Sequence, residues 1–158
     1  MTSGDHGLLA AAPHGIARSS AWRKVSREFK AKHPHCAACD PQKKIDVVQA
    51  HHIFPFHYCV ALGRPDLELD ERNLITLCWE EDGDYNHHLI LGHLDDFHSS
   101  NLEIMVSAKQ FSGKKAADLL ADLAWKVLHE KRLPKLGDMT EKAKADFTKR
   151  MNSTFPIK

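Results

Sequence analysis

Residues 43–55 read KKIDVVQAHHIFP, and their conformation decides the fold. Ile45, Val47 and Val48 are β-branched and partly alternating, which favours an extended chain, and Pro55 closes the run. The segment therefore reads as a strand entering an irregular loop. Residues Phe56 to Arg72, with Gly63-Arg64-Pro65-Asp66 inside them, read as one long loop. Asn73 then opens a second short strand, Leu74-Ile75-Thr76-Leu77-Cys78. After an acidic turn at Gly83, the run from about Asn86 to Phe97 reads as helix, so two short strands are followed by a helix in a ββα unit.

On the N-terminal side, residues 1 to 18 are rich in Gly, Ala and Ser and read as a flexible leader. Ser19 or Ser20 can cap a helix whose apolar residues Trp22, Val25 and Phe29 fall at i, i+3 and i+7. It should end near His33-Pro34, because the residue before proline avoids helical geometry. On the C-terminal side, Ser112 precedes an amphipathic stripe of Ala116, Leu119, Leu120, Leu123 and Val127 that stops before Pro134. A last helix is expected from Thr140 to about Met151, with Ala143, Phe147 and Met151 on one side. The expected organisation is a leader over 1–18, a central domain over 19–100 and a helical extension over 101–158, in the α+β class.

The chain has 158 residues and a formal net charge of +1, which suits one compact domain and gives no global electrostatic argument for nucleic acid. A local bias exists: Arg18, Arg23, Lys24, Arg27, Lys30, Lys32, Lys43 and Lys44 face only Glu28 and Asp40, whereas Asp66 to Asp96 is acidic. No apolar run has the length of a membrane span, and Leu8 to Ala12 is too short for a signal peptide, so a cytoplasmic protein is expected.

Of 12 histidines, nine lie between His33 and His98, a density that points to metal. Cys36 and Cys39 form a CxxC, which in a reducing compartment favours metal or redox use; Cys59 reads as a spare buried thiol. Some forty residues on, Cys78 ends the second strand and His87 begins the helix. Two separated pairs of soft or borderline ligands suit tetrahedral zinc, with His93 as the rival to His87. Adjacent strand residues point to opposite faces, so His51 and His52 can divide labour, one binding metal and the other taking a proton from water. Phosphodiester hydrolysis needs those two functions, an activated water and charge stabilisation at the departing oxygen. The carboxylates Glu80, Glu81, Asp82 and Asp84 read as a solvated loop rather than a magnesium site, and His33 and His98 as surface or packing residues.

The combination of Cys36xxCys39, QAHHIFP, ERNLITLC and NHHLILGH, led by SSAWRKVSREFKAKHPHC, resembles the HNH endonuclease family over roughly residues 18 to 100. These are ββα-metal or treble-clef nucleases, and the resemblance implies a small treble-clef finger flanked by an N-terminal helix and C-terminal helices. It implies His52 as general base, His51 and His88 as ligands of one catalytic divalent ion, and Asn73 as the residue that orients the loop and the base. Cys36, Cys39 and Cys78 match structural zinc ligands. Many members read Cys-x-x-Cys-His where this chain has a longer acidic insert, and His87 stands where the second cysteine would be.

Some members place a second helix histidine four residues after the first, but here His93 follows His88 by five. On an ideal helix that offset turns about 140°, so His93 reaches the catalytic ion only through a bulge or a late helix start. The implied activity is nicking or double-strand cleavage of DNA, with Mg²⁺, Mn²⁺, Zn²⁺ or Ni²⁺ as the catalytic ion, in a bacterial or phage-infected cell. Arg23, Lys24 and Arg27 would contact the backbone of double-stranded DNA. A zinc-stabilised DNA-binding module without catalysis is the alternative; a thioredoxin-type redox protein would need βαβ alternation instead.

Overall fold

The computed structural model describes residues 16–43, 45–81 and 83–158, so the first fifteen residues of the expected leader lie outside it, as do Lys44 and Asp82. Helix α1 (Trp22–Lys32) leads into the Cys36-Cys39 knuckle. Strand β1 (Val48–His52) follows, then α2 (Phe56–Ala61), two 3-10 turns (Pro65–Glu68 and Glu71–Asn73) and strand β2 (Leu74–Cys78). A π-helical turn, His88–Gly92, precedes α3 (Ile104–Gln110), α4 (Ala116–Ala121), α5 (Leu123–Glu130), a 3-10 turn (Leu136–Asp138) and α6 (Glu141–Thr154). The architecture is mixed helix with one small sheet.

The two strands pair antiparallel, with Val48 opposite Cys78, His51 opposite Ile75 and His52 opposite Leu74. The paired strand is shorter than the run 43–55 because β2 offers five residues. One further bond, from the Trp79 amide to the Val47 carbonyl at 3.0 Å, extends the ladder. The knuckle leans on the other edge of β2, where the Ala37 amide donates to the Thr76 carbonyl at 2.9 Å. The Thr76 hydroxyl donates to the His33 carbonyl at 2.7 Å and fixes the end of α1 against the same strand.

Four local readings are corrected by the structure. Residues expected as one loop contain α2, which begins at Pro55 and turns Phe56, Tyr58 and Cys59 into the core. It ends at Gly63, whose φ of +89° is a left-handed geometry that glycine adopts without a Cβ clash. The single stripe from Ala116 to Val127 is broken at Asp122, whose extended backbone and side-chain bond to the Ala124 amide restart the helix as α5. The restart rotates the buried face: Trp125 goes inside and donates to the Ile90 carbonyl at 2.8 Å, while Leu123 is 77% exposed. Neither Ser112 nor Ser20 is a cap; α4 starts after Lys115 and α1 after Ala21, where the Ser19 hydroxyl accepts the Ala21 amide. The expected helix from Asn86 to Phe97 shrinks to the π turn, because Leu94 and Asp95 take positive φ. The expected last helix is present as α6, capped by Thr140.

One core runs through these elements. Phe147 of α6 sits edge-on to Phe54 at 5.5 Å between ring centroids and tilted against Tyr58 at 5.5 Å. Buried Arg64 donates to the Asn152 side chain and the Phe155 carbonyl, tying the chain end to the α2 loop. Asn73 is fully buried and closes the loop between the strands. Its Oδ1 accepts the Phe54 amide at 2.8 Å, and its Nδ2 donates to the carbonyls of Phe54 and Leu67.

Cys36, Cys39, Cys78 and His87 are buried together, one pair from the knuckle, one residue ending β2 and one preceding the π turn. The His87 Nδ1 lies 3.5, 3.4 and 3.4 Å from the three sulfurs, and Cys39 and Cys78 are 3.7 Å apart at sulfur. A tetrahedral ion at about 2.3 Å from sulfur and about 2.0 Å from nitrogen sets those separations near about 3.5 Å for S···N and about 3.8 Å for S···S. A disulfide needs about 2.05 Å, so the sulfurs are not cross-linked. The Cys36 thiol is drawn far below its usual range by bonds from Cys39 and Cys78, while the same contacts push Cys39 far up. Three thiolates cannot coexist there without a cation. Nε2–H of His87 donates to the Lys114 carbonyl at 2.7 Å, leaving Nδ1 as the ligand atom. The set is consistent with a structural zinc site.

Two outcomes follow from this packing. Elemental analysis of the purified chain should find one tightly held zinc, and Cys39→Ser should lose it and unfold. Structural zinc binding contributes about 10–16 kcal/mol, as much as the whole stability of a small domain. Cys59→Ala, outside the set, should keep the metal; its loss there would contradict the assignment. Asn73→Ala removes three buried hydrogen bonds to the backbone and should lower stability by about 2–4 kcal/mol in chemical denaturation with zinc retained. A change under about 1 kcal/mol would show that Asn73 does not hold the loop.

Candidate functional site

His51 and His52 end β1, and the alternation of a strand sends their rings to opposite sides. His51 faces the π turn, where it meets His88 at 5.1 Å and His93 at 4.9 Å between ring centroids. His52 faces α1, stacked on Trp22 at 4.5 Å and tilted toward Phe56 at 6.1 Å.

The five-residue offset between His88 and His93 is absorbed by the π geometry. The His93 amide bonds the His88 carbonyl at 3.1 Å, an i→i+5 closure that returns His93 to the same face as His88. His93 thus joins His51 and His88, and His87 alone stands with the cysteines; the sequence left these two choices open. Gly92 makes room for the arrangement, since a Cβ there would lie 3.0 Å from His51 Cε1.

Hydrogen bonds set the tautomers. His88 Nδ1 faces Gln49 Oε1 at 2.5 Å and His93 Nδ1 faces the Ser99 carbonyl at 2.7 Å. Both partners only accept, so each Nδ1 carries the proton and each Nε2 presents a lone pair. Those two Nε2 atoms are 3.3 Å apart. His51 Nε2 is buried with no hydrogen-bond partner. All three residues offer a ring nitrogen within 4.8 Å of the others. Two lone pairs facing at contact distance repel, and a third orphaned nitrogen beside them leaves a set that a cation satisfies. Outer carbonyls that orient imidazole ligands are the usual support of such sites. Burial pushes His88 down to about 3 and lowers His51 and His93 too, with mutual repulsion adding to burial for His51 and His88. The three rings are therefore neutral at pH 7, the state in which imidazole binds metal.

His52 is oriented in the same manner. Its Nε2 bonds the Glu68 carbonyl at 2.8 Å, so Nε2 is the protonated nitrogen and Nδ1 the basic one. Burial, opposed by that carbonyl, pushes its pKa down to about 3 and keeps it uncharged at pH 7. Asn73 pins the loop just beyond it, through Phe54.

All four histidines line one cavity of about 330 Å³. Arg18, Phe56, Phe97 and Ser100 contribute to its wall, as do His57 and His98. The sequence reading missed these residues; His98 had been expected at the surface or in packing, and it is exposed yet lies on this rim. No local pattern marks them, because they come together from three separate segments. A second cavity of about 340 Å³ beside Asp96, Glu130, Arg132 and Asp138 shares His98 with the first but has none of His51, His52, His88 and His93 on its wall. Arg23, Lys24 and Arg27 are exposed on α1, the helix that carries Trp22 against His52, and Lys24 lies 3.9 Å from Glu28. Glu80, Glu81 and Asp84 join neither cluster.

Among the described residues, no helix is long and apolar enough to cross a membrane. Comparisons with protein-family models, with curated proteins and with solved structures find no match for this chain.

Proposed function

We propose that this chain is a metal-dependent endonuclease of the HNH type, with a treble-clef ββα finger, that hydrolyses phosphodiester bonds in DNA. The observation that carries the reading is the division of two adjacent imidazoles. His51 joins a neutral three-histidine cluster with its Nε2 orphaned, and His52 presents a basic Nδ1 from the opposite side of the strand.

His51, His88 and His93 would hold one divalent ion, which when bound supplies positive charge to phosphate and leaving-group oxygens. His52 takes a proton from water as the water oxygen attacks phosphorus. The P–O3′ bond breaks, the departing 3′ oxygen takes a proton from solvent and His52 releases its own to solvent, so the products are a 5′-phosphate and a 3′-hydroxyl. The Glu68 carbonyl keeps the His52 proton on Nε2, so the accepting nitrogen is always the same one. A phosphodiester anion entering the cavity raises the pKa of the ring, which strengthens the base at the moment it is needed. Arg23, Lys24 and Arg27 on α1 would track the duplex backbone, an attraction that weakens with salt.

Incubation of the zinc-loaded protein with supercoiled plasmid and Mg²⁺, Mn²⁺, Ni²⁺ or added Zn²⁺ tests the proposal. The parent should nick or linearise the plasmid with at least one ion. His52→Ala should slow cleavage about 10²–10⁴-fold with one zinc still bound. His88→Ala should lose the second ion in a Mn²⁺ titration while the cysteine-bound zinc stays. Parent-like cleavage by His52→Ala overturns the assignment of the base. A parent that shifts DNA in a gel but cuts it with no ion is instead a zinc-stabilised binding module.

A further inference from the structure

Three buried side-chain polar atoms among the described residues have no hydrogen-bond partner: Arg18 Nη1, His51 Nε2 and Ser100 Oγ. All three residues line the same cavity as the histidine cluster and His52. A buried polar group left without a partner is destabilising, and more so when it is charged. Their coincidence in one 330 Å³ space marks what an incoming molecule must offer. His51 is accounted for by a cation. The other two are a guanidinium, which only donates, and a hydroxyl, and together they call for anionic oxygen.

Arg18 is held without using up its donors. Its guanidinium carbon lies 4.2 Å from the Phe56 ring centroid and 4.7 Å from that of Trp22, the two rings that also contact His52. Aromatic faces stabilise the cation and restrict it, and they leave Nη1 without a hydrogen-bond partner. The next residue is anchored too: the Ser19 amide donates to Glu68 Oε1 at 2.9 Å. Glu68 thus holds both sides of one wall, through its carboxylate the segment bearing Arg18 and through its carbonyl the His52 ring. Ser100 sits at the opposite functional end. Ser99 accepts from His93, and the Asn101 amide donates to the Gly92 carbonyl at 2.9 Å, so the residue between them is fixed beside the cluster.

We propose that Arg18 and Ser100 are the phosphate-binding residues of the cavity, donating to the non-bridging oxygens of a nucleic-acid phosphodiester. Arg18 does so beside the base and Ser100 beside the three-histidine cluster. This rests on the nuclease reading for the identity of the anion, but it is tested by binding alone. It also gives Arg18, the last residue of the expected leader, a substrate contact.

The test is fluorescence anisotropy of a short labelled DNA duplex titrated with the zinc-loaded full chain, with no other divalent ion added. Arg18→Met keeps the apolar stem between Trp22 and Phe56, so the fold and zinc content should persist. Its affinity should fall about tenfold, and the slope of log affinity against log salt should drop by about one. Arg18→Lys should restore that slope, and Ser100→Ala should weaken binding about threefold with the slope unchanged. Arg18→Met binding within about twofold of the parent at the parent's slope overturns the proposal, as does a parent that does not bind the duplex. If no ion supports cleavage but Arg18→Met still loses binding, the nuclease reading fails and the phosphate contact stands. If the plasmid is cut and Arg18→Met binds normally, only the phosphate contact fails.

Discussion

The four-point junction of Cys36, Cys39, Cys78 and His87 is the constraint on which the rest of the structure depends. The sheet has two strands, and an isolated pair of strands is marginal in water. The junction locks the knuckle after α1 to the end of β2 and to the residue before the π turn. His87 and His88 are adjacent, so the tie that orders the cysteines also sets where the next imidazole begins. A structural set and a candidate reactive set thus share one short piece of backbone, divided between its two histidines.

A second constraint acts at the other end of the same strands. The register that opposes His52 to Leu74 brings Asn73 under the loop following β1, where its amide satisfies three backbone groups. This fixes the direction in which the chain leaves His52 and carries Phe56 into place beside the ring. His52 is positioned by burial and by one carbonyl, the three-histidine cluster by two outer acceptors and a missing Cβ at Gly92. In each case the tautomer is set by a carbonyl oxygen that accepts from the ring. The lone pairs consequently lie where the sequence alone could not put them.

Much of this was legible in the residues. The β-branched run before His51, the apolar run from Leu74 and the Thr140 cap announced β1, β2 and α6, and the spacing of cysteines announced the junction. The choice between His87 and His93 was not legible, because a five-residue offset has opposite meanings in α and π geometry and nothing local predicts the π turn. The α2 helix was hidden by its shortness and by Pro55, which reads as a terminator although it can also precede a first turn. The break at Asp122 was hidden by an apolar pattern that continues across it. Arg18 lay in a stretch whose composition suggested no structure; its place depends on Glu68, 49 residues away from Ser19 in sequence.

The central claim is that His51, His88 and His93 form a second metal centre, separate from the cysteine junction and on the side of β1 away from His52. Crystals of the zinc-loaded protein soaked in Mn²⁺, with anomalous maps recorded across the zinc and manganese edges, test it most directly. The account predicts a zinc peak among Cys36, Cys39, Cys78 and His87 and a manganese peak bonded to one nitrogen from each of the three histidines. Saturating Mn²⁺ that leaves those nitrogens without a peak, or a single ion drawn to His52, would contradict it.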